Sequence, residues 1–269
     1  TDTYRRIRNT IRFLISNLED FDENSFKSSN FADFSEIDLY MSNYNKVFES
    51  KVRSLYKAYE FHTLVNYIKT YCSEQLGSFY LDIVKDRLYT EKSNSKIRKS
   101  CQSTLNEILQ SLLYSLAPIL SFTVNEAWTC FKKDDEFGEI FLKEWTETNT
   151  QIDNEIIDKW NKILEIREKV NKEIENIRGQ NIIGSSLESI VEIYASSDDY
   201  KLLTSVSENL EDIFITSAVF LKLTDSKQTE IIISKHNGLK CERCWKYFNK
   251  LLEYEGINQL CDRCLNNLK

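Results

Sequence analysis

One proline and six glycines are all that punctuate 269 residues. These are the residue types that stop a helix: proline removes an N–H and clashes with the preceding turn, and glycine carries a backbone-entropy cost. A chain so short of them is free to run in long helices, so a mainly α fold is expected. Hydrophobic residues at 41% and charged residues at 29% place it among folded globular proteins. No apolar run approaches the ~18 residues of a membrane span. The length argues for two domains, or one domain with appendages. A net charge of −7 argues against indiscriminate coating of nucleic acid but leaves room for a local basic face, because screening limits what a phosphate feels.

The helical pattern starts at once. Over residues 4–18, Ile7, Ile11, Leu14 and Leu18 fall within about 60° of one another at ~100° per residue, an amphipathic core stripe. Arg5, Arg8 and Arg12 share the far side and Arg6 sits at its flank. Such a comb of guanidiniums suits phosphates or base edges; the alternative is a solvated face paired with carboxylates. Asp20 and Asp22 come too late in the chain to pair with Arg5 or Arg8 along the helix. Residues 21–34 read as a polar loop pinned by phenylalanines. Residues 35–89 are helical again, with breaks expected near 58–61 and near Gly77. His62, beside Phe61 and Leu64, reads as a packed or capped residue. After a polar turn over 90–95, residues 96–116 form a helix with Leu105, Ile108, Leu109, Leu112 and Leu113 inward. Pro118 is expected in the first turn of a helix over 119–131, where its missing N–H costs nothing. An acidic turn follows at 134–138. These segments together predict an antiparallel helix bundle.

Residues 150–178 form one long charged helix whose apolar positions Ile152, Ile156, Trp160, Ile163, Ile166, Val170 and Ile174 are spaced like a heptad seam, with Gly179 as its C-cap. The pattern then changes to β-branched runs over 189–195, 213–221 and 231–233, with a helix over 200–209. This is a small α/β junction.

The chain ends on Cys241-Glu-Arg-Cys244-Trp245 and Cys261-Asp-Arg-Cys264, two Cys-x-x-Cys pairs with sixteen residues between them. That spacing suits one tetrahedral ion held by four thiolates, and soft sulfur ligands select zinc or, less often, an iron–sulfur centre. A closed four-sulfur shell leaves no open position, so one structural zinc on Cys241, Cys244, Cys261 and Cys264 is expected. The remaining Cys72, Cys101 and Cys130 are scattered, unlike a disulfide framework. Residues inside such a turn are expected to point outward, which makes Arg243 and Arg263 candidates for ligand contact. Trp245, followed by Tyr247 and Phe248, either offers a stacking surface to an unpaired base or packs under the turn as a small core. His236, five residues before Cys241, is either a flank of the metal or a surface loop residue.

No motif for catalysis accompanies these. A glycine-rich phosphate loop, a Gly-x-Ser-x-Gly elbow and a His-Glu-x-x-His pair are all missing from the sequence, and the carboxylates are spread over solvated helix faces. What remains is recognition chemistry.

Several motifs carry a family resemblance. The opening Tyr4-Arg-Arg-Ile-Arg-Asn-Thr-x-Arg-Phe13-Leu14, with Asn17-Leu18 and Asp20-Phe21-Asp22, resembles the start of the anticodon-binding bundle of bacterial-type isoleucyl-tRNA synthetases, which are class I enzymes. Residues 79–89, Phe-Tyr-Leu-Asp-Ile-Val-Lys-Asp-Arg-Leu-Tyr, are similar to a second signature of that bundle. Residues 118–128 resemble a helix shared by class I synthetases for aliphatic amino acids. Val170-Asn-Lys-x-Ile-Glu and Ile183-Gly-Ser-Ser-Leu-Glu188 resemble the junction after the bundle, and the cysteine-rich ending resembles the C-terminal zinc module. One departure is Thr146 after Trp145, where the family commonly has proline; a looser exit turn from the bundle is expected there.

The resemblance implies an anticodon-binding bundle over 1–148, a long helix and junction over 149–235 and a zinc-binding module over 236–269. It implies the tRNA-recognition part of an ATP-dependent ligase that attaches isoleucine to tRNA(Ile) through an aminoacyl-adenylate. The nucleotide-binding motifs and the editing domain of that enzyme are not in this sequence, so the chain reads as a piece of something longer that is inactive by itself. ATP and isoleucine are then ligands of the full-length enzyme only, and the anticodon stem-loop is the partner here. Arg5, Arg6, Arg8, Arg12, Arg243 and Trp245 are the implied RNA-binding residues, with splayed bases held between the arginine comb and the zinc module. A monomer in the cytoplasm, with no membrane association, is the implied setting. The competing readings are a helical adaptor whose zinc knuckle binds a protein, and the equivalent region of a valyl- or leucyl-type synthetase.

Overall fold

The computed structural model describes residues 2–22, 34–132, 139–146, 151–206, 208–254 and 256–268. Most of the loop expected over 21–34, the acidic turn over 134–138 and residue 150 lie outside them. The chain is mainly helical with a few small sheets, and it divides into two compact units, residues 1–88 with 93–154 and residues 89–92 with 155–269.

In the first unit, α1 (Asp2–Ser16) buries Ile7, Ile11 and Leu14 on one stripe. Next come α2 (Glu36–Lys57) and α3 (Phe61–Thr70). Between them Tyr59 takes a left-handed φ of 58°, which ends α2 at the expected break. The helix then continues through Gly77 instead of breaking. Residues Tyr71–Tyr80 widen into a π-helical segment, in which the carbonyl five residues back comes close; a Cβ on Gly77 would meet Cys72 O at 3.1 Å. α4 (Leu81–Thr90), α5 (Lys96–Leu116) and α6 (Ser121–Phe131) follow. The apolar positions expected inside α5 are all fully buried. α6 begins three residues after Pro118, which lies in the turn from α5 rather than in a first helical turn. Ile119 and Leu120 there donate to the Leu116 carbonyl, so the chain is still turning off the end of α5.

Polar groups register this bundle. The carboxylate of Asp38, fully buried, accepts from Ser35 Oγ at 2.7 Å, Ser100 Oγ at 2.5 Å and Tyr80 OH at 2.6 Å. A buried carboxylate is tolerated only when its oxygens are satisfied in this way. Asn45 donates from Nδ2 to Ser111 Oγ at 2.7 Å and accepts at Oδ1 from Tyr71 OH at 2.9 Å. Asp20 is taken by Arg98 through two hydrogen bonds of 2.6 and 3.1 Å, and that guanidinium holds its carboxyl below the usual carboxylate range. The exit from the bundle is also held. Arg53 donates to the carbonyls of Trp145 and Thr146 at 3.2 and 2.7 Å, and its Cζ lies 3.9 Å from the Trp145 ring centroid.

In the second unit, α7 (Asn154–Gly179) buries Trp160, Ile163, Ile166, Val170 and Ile174 as expected. Ile152 precedes the helix, and it and Ile156 are only half-buried. Arg167, unforeseen, lies in the seam and donates from Nε to Ile213 O at 2.9 Å. The left-handed residue after α7 is Asn181, φ 57°, and not Gly179. β1 (Ser189–Ala195), β2 (Ala218–Leu223) and β3 (Glu230–Lys235) form a sheet of order β2-β1-β3, with β1 parallel to β2 and antiparallel to β3. α8 (Ser197–Thr204) and α9 (Leu210–Ile213) make the crossover. The apolar run over 213–221 is thus split: Ile213 ends α9, and the strand starts at Ala218. The helix expected over 200–209 starts earlier and stops at Thr204.

Candidate metal centre and nucleic-acid interface

The end of the chain folds around sulfur. β4 (Leu239–Lys240) pairs antiparallel with β5 (Tyr247–Phe248) and holds the first Cys-x-x-Cys turn between them. Cys241 N donates to Lys246 O, and Trp245 N donates to Cys241 O, both at 2.9 Å. The approach is tight: a Cβ on Gly238 would meet Phe248 O at 2.4 Å. β6 (Leu252–Tyr254) and β7 (Ile257–Leu260) form a hairpin that delivers Cys261 to the N-cap of α10 (Asp262–Asn266), the helix that contains Cys264.

The four sulfur atoms lie within 4.8 Å of one another, and Cys244 Sγ is 3.8 Å from Cys261 Sγ. A tetrahedral ion with sulfur ligands at about 2.3 Å needs S···S edges of about 3.8 Å, so the donor set fits a soft metal ion. No disulfide joins any of them. Backbone N–H groups already point at the sulfurs: Cys261 N lies 3.4 Å from Cys241 Sγ, and Cys264 N lies 3.4 Å from Cys261 Sγ. Sulfhydryl donation from Cys244 and Cys264 holds the Cys261 thiol well below its usual range. Cys244, facing that thiolate, is pushed up to about 12. Cys264, like Cys244, is pushed up by its sulfur neighbours, so Cys261 alone is held toward the thiolate. His236 does not join the metal cluster; its Nδ1 accepts from Gly238 N at 2.9 Å. Leu260 and Leu265, with Phe248, Leu251, Leu252 and Tyr254 packed around the cysteines, form a small apolar cluster.

The cysteine-bearing turn is fastened to the α/β piece of the same unit. Lys246 forms a largely buried ion pair with Asp212, and Tyr247 N donates to Ser217 Oγ at 2.7 Å. Nothing in the cysteine spacing announces either contact.

The predicted recognition residues fall into two states. Arg5, Arg6, Arg8 and Arg12 are all exposed on α1. Arg6 Nε is paired with Asp2 at 2.8 Å, whereas Arg8 and Arg12 have no hydrogen bond or ion pair among the described residues. Trp245 does not pack under the turn; it is 60% exposed, with Lys240 Nζ 5.3 Å from its ring centroid. Its φ of 65° is a left-handed conformation that costs a bulky residue energy. Arg243 departs from the expectation that the metal turn presents it outward. It is half-buried, its Nη2 donates to Thr90 O at 2.9 Å, and its Nη1 is buried. Arg263 is half-buried too. His62 is exposed, its Nδ1 3.2 Å from the Asn66 amide nitrogen, not packed in a core. No described helix is long and apolar enough to cross a membrane.

Comparison with known proteins adds to this geometry. The family described as "Anticodon-binding domain of tRNA ligase" matches residues 38–194, more than half of the chain. The chain is similar to the isoleucine–tRNA ligase of Paraburkholderia phytofirmans, 42% identical over 272 residues that cover 100% of this chain and 28% of the relative. The ligase of Nitrosomonas europaea is 41% identical over 273 residues, 99% of this chain and 29% of the relative. That of Burkholderia multivorans is 40% identical over 271 residues, 100% and 28%. The chain spans less than a third of the length of these relatives and corresponds to a C-terminal part of them.

Proposed function

The chain belongs to the family of anticodon-binding domains of tRNA ligases, and from that premise we propose that it is the tRNA-recognition portion of an isoleucine–tRNA ligase. The observation that carries this reading is the similarity to isoleucine–tRNA ligases from end to end of the chain. The ligand is the anticodon stem-loop of tRNA(Ile). ATP and isoleucine bind only the remainder of the full-length enzyme, and this portion forms no adenylate.

The exposed guanidiniums of Arg5, Arg8 and Arg12 take phosphates and base edges. Arg6 lends charge while tied to Asp2. The indole of Trp245 stacks on an unpaired base, and its strained backbone, held by the metal turn, supports a role outside packing. Arg243 enters this reading from a half-buried position, fixing the turn that carries Trp245. The ion on Cys241, Cys244, Cys261 and Cys264 is zinc and structural; when bound, it supplies the tetrahedral anchor that so small an apolar cluster needs. No cysteine outside the turn has a partner by spacing, which fits a reducing cytoplasm, and we take the protein to act as a monomer.

Filter retention of tRNA(Ile) across a salt series tests the reading. Affinity should fall steeply with salt, with a slope of about −0.7 to −0.9 per phosphate neutralised, and should exceed that for a non-cognate tRNA. No affinity for tRNA(Ile) at low salt overturns it.

A further inference from the structure

Trp245 is held in an unfavourable backbone conformation by the two residues that follow it. Its φ of 65° lies in the left-handed region, which glycine occupies without cost and a bulky side chain does not. The small apolar cluster around the cysteines leaves the indole out, and it is 60% exposed. Its own packing therefore does not fix this conformation, and its surroundings do. Lys246 is tied down twice: its carbonyl accepts from Cys241 N at 2.9 Å, and its ammonium is paired with Asp212. Tyr247 N donates to Ser217 Oγ at 2.7 Å.

Asp212 and Ser217 reach these residues from α9 and from the link between α9 and β2, which is itself strained. Ile215 there has a φ of 55°, rare for a β-branched residue. Thr216 N donates to Glu211 O, five residues back, at 3.0 Å. Ser217 is pinned to the neighbouring strand: its N–H donates to Ser189 O at 3.2 Å and its hydroxyl to Leu187 O. Asp212 and Ser217 are thus fixed independently of the cysteine-bearing turn that they hold. The competing role for Lys246 is a phosphate contact. Its side chain is only 12% exposed and that of Asp212 17%, so its charge is neutralised inside the fold. A different cation, Lys240, faces the indole, with Nζ 5.3 Å from the ring centroid.

We propose that Asp212 is a positioning residue for RNA recognition: through Lys246, and together with Ser217 on Tyr247, it holds the backbone that presents the Trp245 indole, and neither Asp212 nor Lys246 touches the RNA. This rests on the stacking role of Trp245 proposed above.

A double-mutant cycle on the full, metal-loaded chain tests this, read by fluorescence anisotropy of an anticodon stem-loop RNA at several salt concentrations. Trp245→Ala should weaken binding roughly five- to a hundredfold. Asp212→Asn should weaken it at least about twofold, keep its metal and leave the salt slope unchanged. In the Trp245→Ala background Asp212→Asn should add nothing, because a residue that acts through the indole has nothing left to position. Acrylamide quenching of the share of emission that Trp245→Phe removes should change in Asp212→Asn. Wild-type affinity in Asp212→Asn beside weakened Trp245→Ala overturns the positioning role and leaves the stacking role standing. Losses that multiply in the double variant, or unchanged quenching, also overturn it. So does a salt slope lowered by about one in Lys246→Met, which would place the ammonium on a phosphate. If Asp212→Asn loses its metal, Ser217→Ala, which removes the acceptor for Tyr247 N, is taken through the same cycle with the same outcomes. Wild-type affinity in Trp245→Ala removes both roles.

Discussion

Arg243 Nη2 donates to the carbonyl oxygen of Thr90 at 2.9 Å, across 153 residues of sequence. The guanidinium beside the cysteine cluster is thus fixed on a backbone carbonyl of its own unit. Arg243→Ala should cost about 1.5–3 kcal/mol, the range for a hydrogen bond from a charged donor. Thermal unfolding measures this, and Arg243→Lys should recover only part, because an ammonium lacks the planar fork. An alanine variant with wild-type stability and weakened RNA binding would mean that the guanidinium reaches the ligand instead.

The metal site predicts a folding dependence. The apolar cluster around the cysteines is small, so removal of the ion by a chelator should unfold the turn, quench or shift the emission of exposed Trp245 and lower the unfolding temperature. Cys261→Ser should reproduce this and abolish stoichiometric metal in elemental analysis. Thiolates, not thiols, bind metal, so affinity should fall as pH drops and protons compete. Full metal retention in Cys261→Ser would contradict a four-sulfur site.

Arg53 spans the exit from the bundle, taking two carbonyls and covering the Trp145 ring. Arg53→Ala should destabilise the first unit by about 2 kcal/mol, combining a cation–π contact with charged hydrogen bonds. The segment around Trp145 should then become protease-sensitive. Unchanged proteolysis would show that Thr146 and its neighbours hold the exit without it.

Glu107 has its carboxyl raised, chiefly by burial, with the Ser42 hydroxyl at 2.6 Å pulling the other way. A folded-state value above the unfolded one means that the folded form binds the extra proton. Stability is then highest below the unfolded value of about 4.3 and declines as pH rises through the folded one. Glu107→Gln keeps an acceptor for Ser42 and removes the ionisation. It should raise the unfolding temperature at neutral pH, and the difference should vanish in acid. A constant difference at all pH values would assign the effect to packing.

The helices were legible because their signals are local. The stripe in α1 and the run inside α5 repeat at helical spacing, and every one of those positions is buried. The four cysteines were legible for the same reason, since a chelating turn needs only two residues between its ligands. Errors came where apolar residues ran together without a period. Over 213–221 one stretch serves first a helix end and then a strand, and nothing within it marks the switch. Gly77 failed as a break because widening to π bonding preserves the helix, an option that the residue type does not announce.

The amino-acid order alone determined the helical content, the buried faces of individual helices and the four cysteines that cluster at the end of the chain. Each depends on neighbours within a turn or two. Only tertiary structure decided the partners of the charged and polar groups: Asp38 among three hydroxyls, Asp20 with Arg98, Lys246 with Asp212, Arg243 on Thr90 while Arg8 and Arg12 stay exposed. A side chain's charge is written in its residue type. What it faces depends on which distant elements packing brings within hydrogen-bond reach, and that is a property of the whole fold.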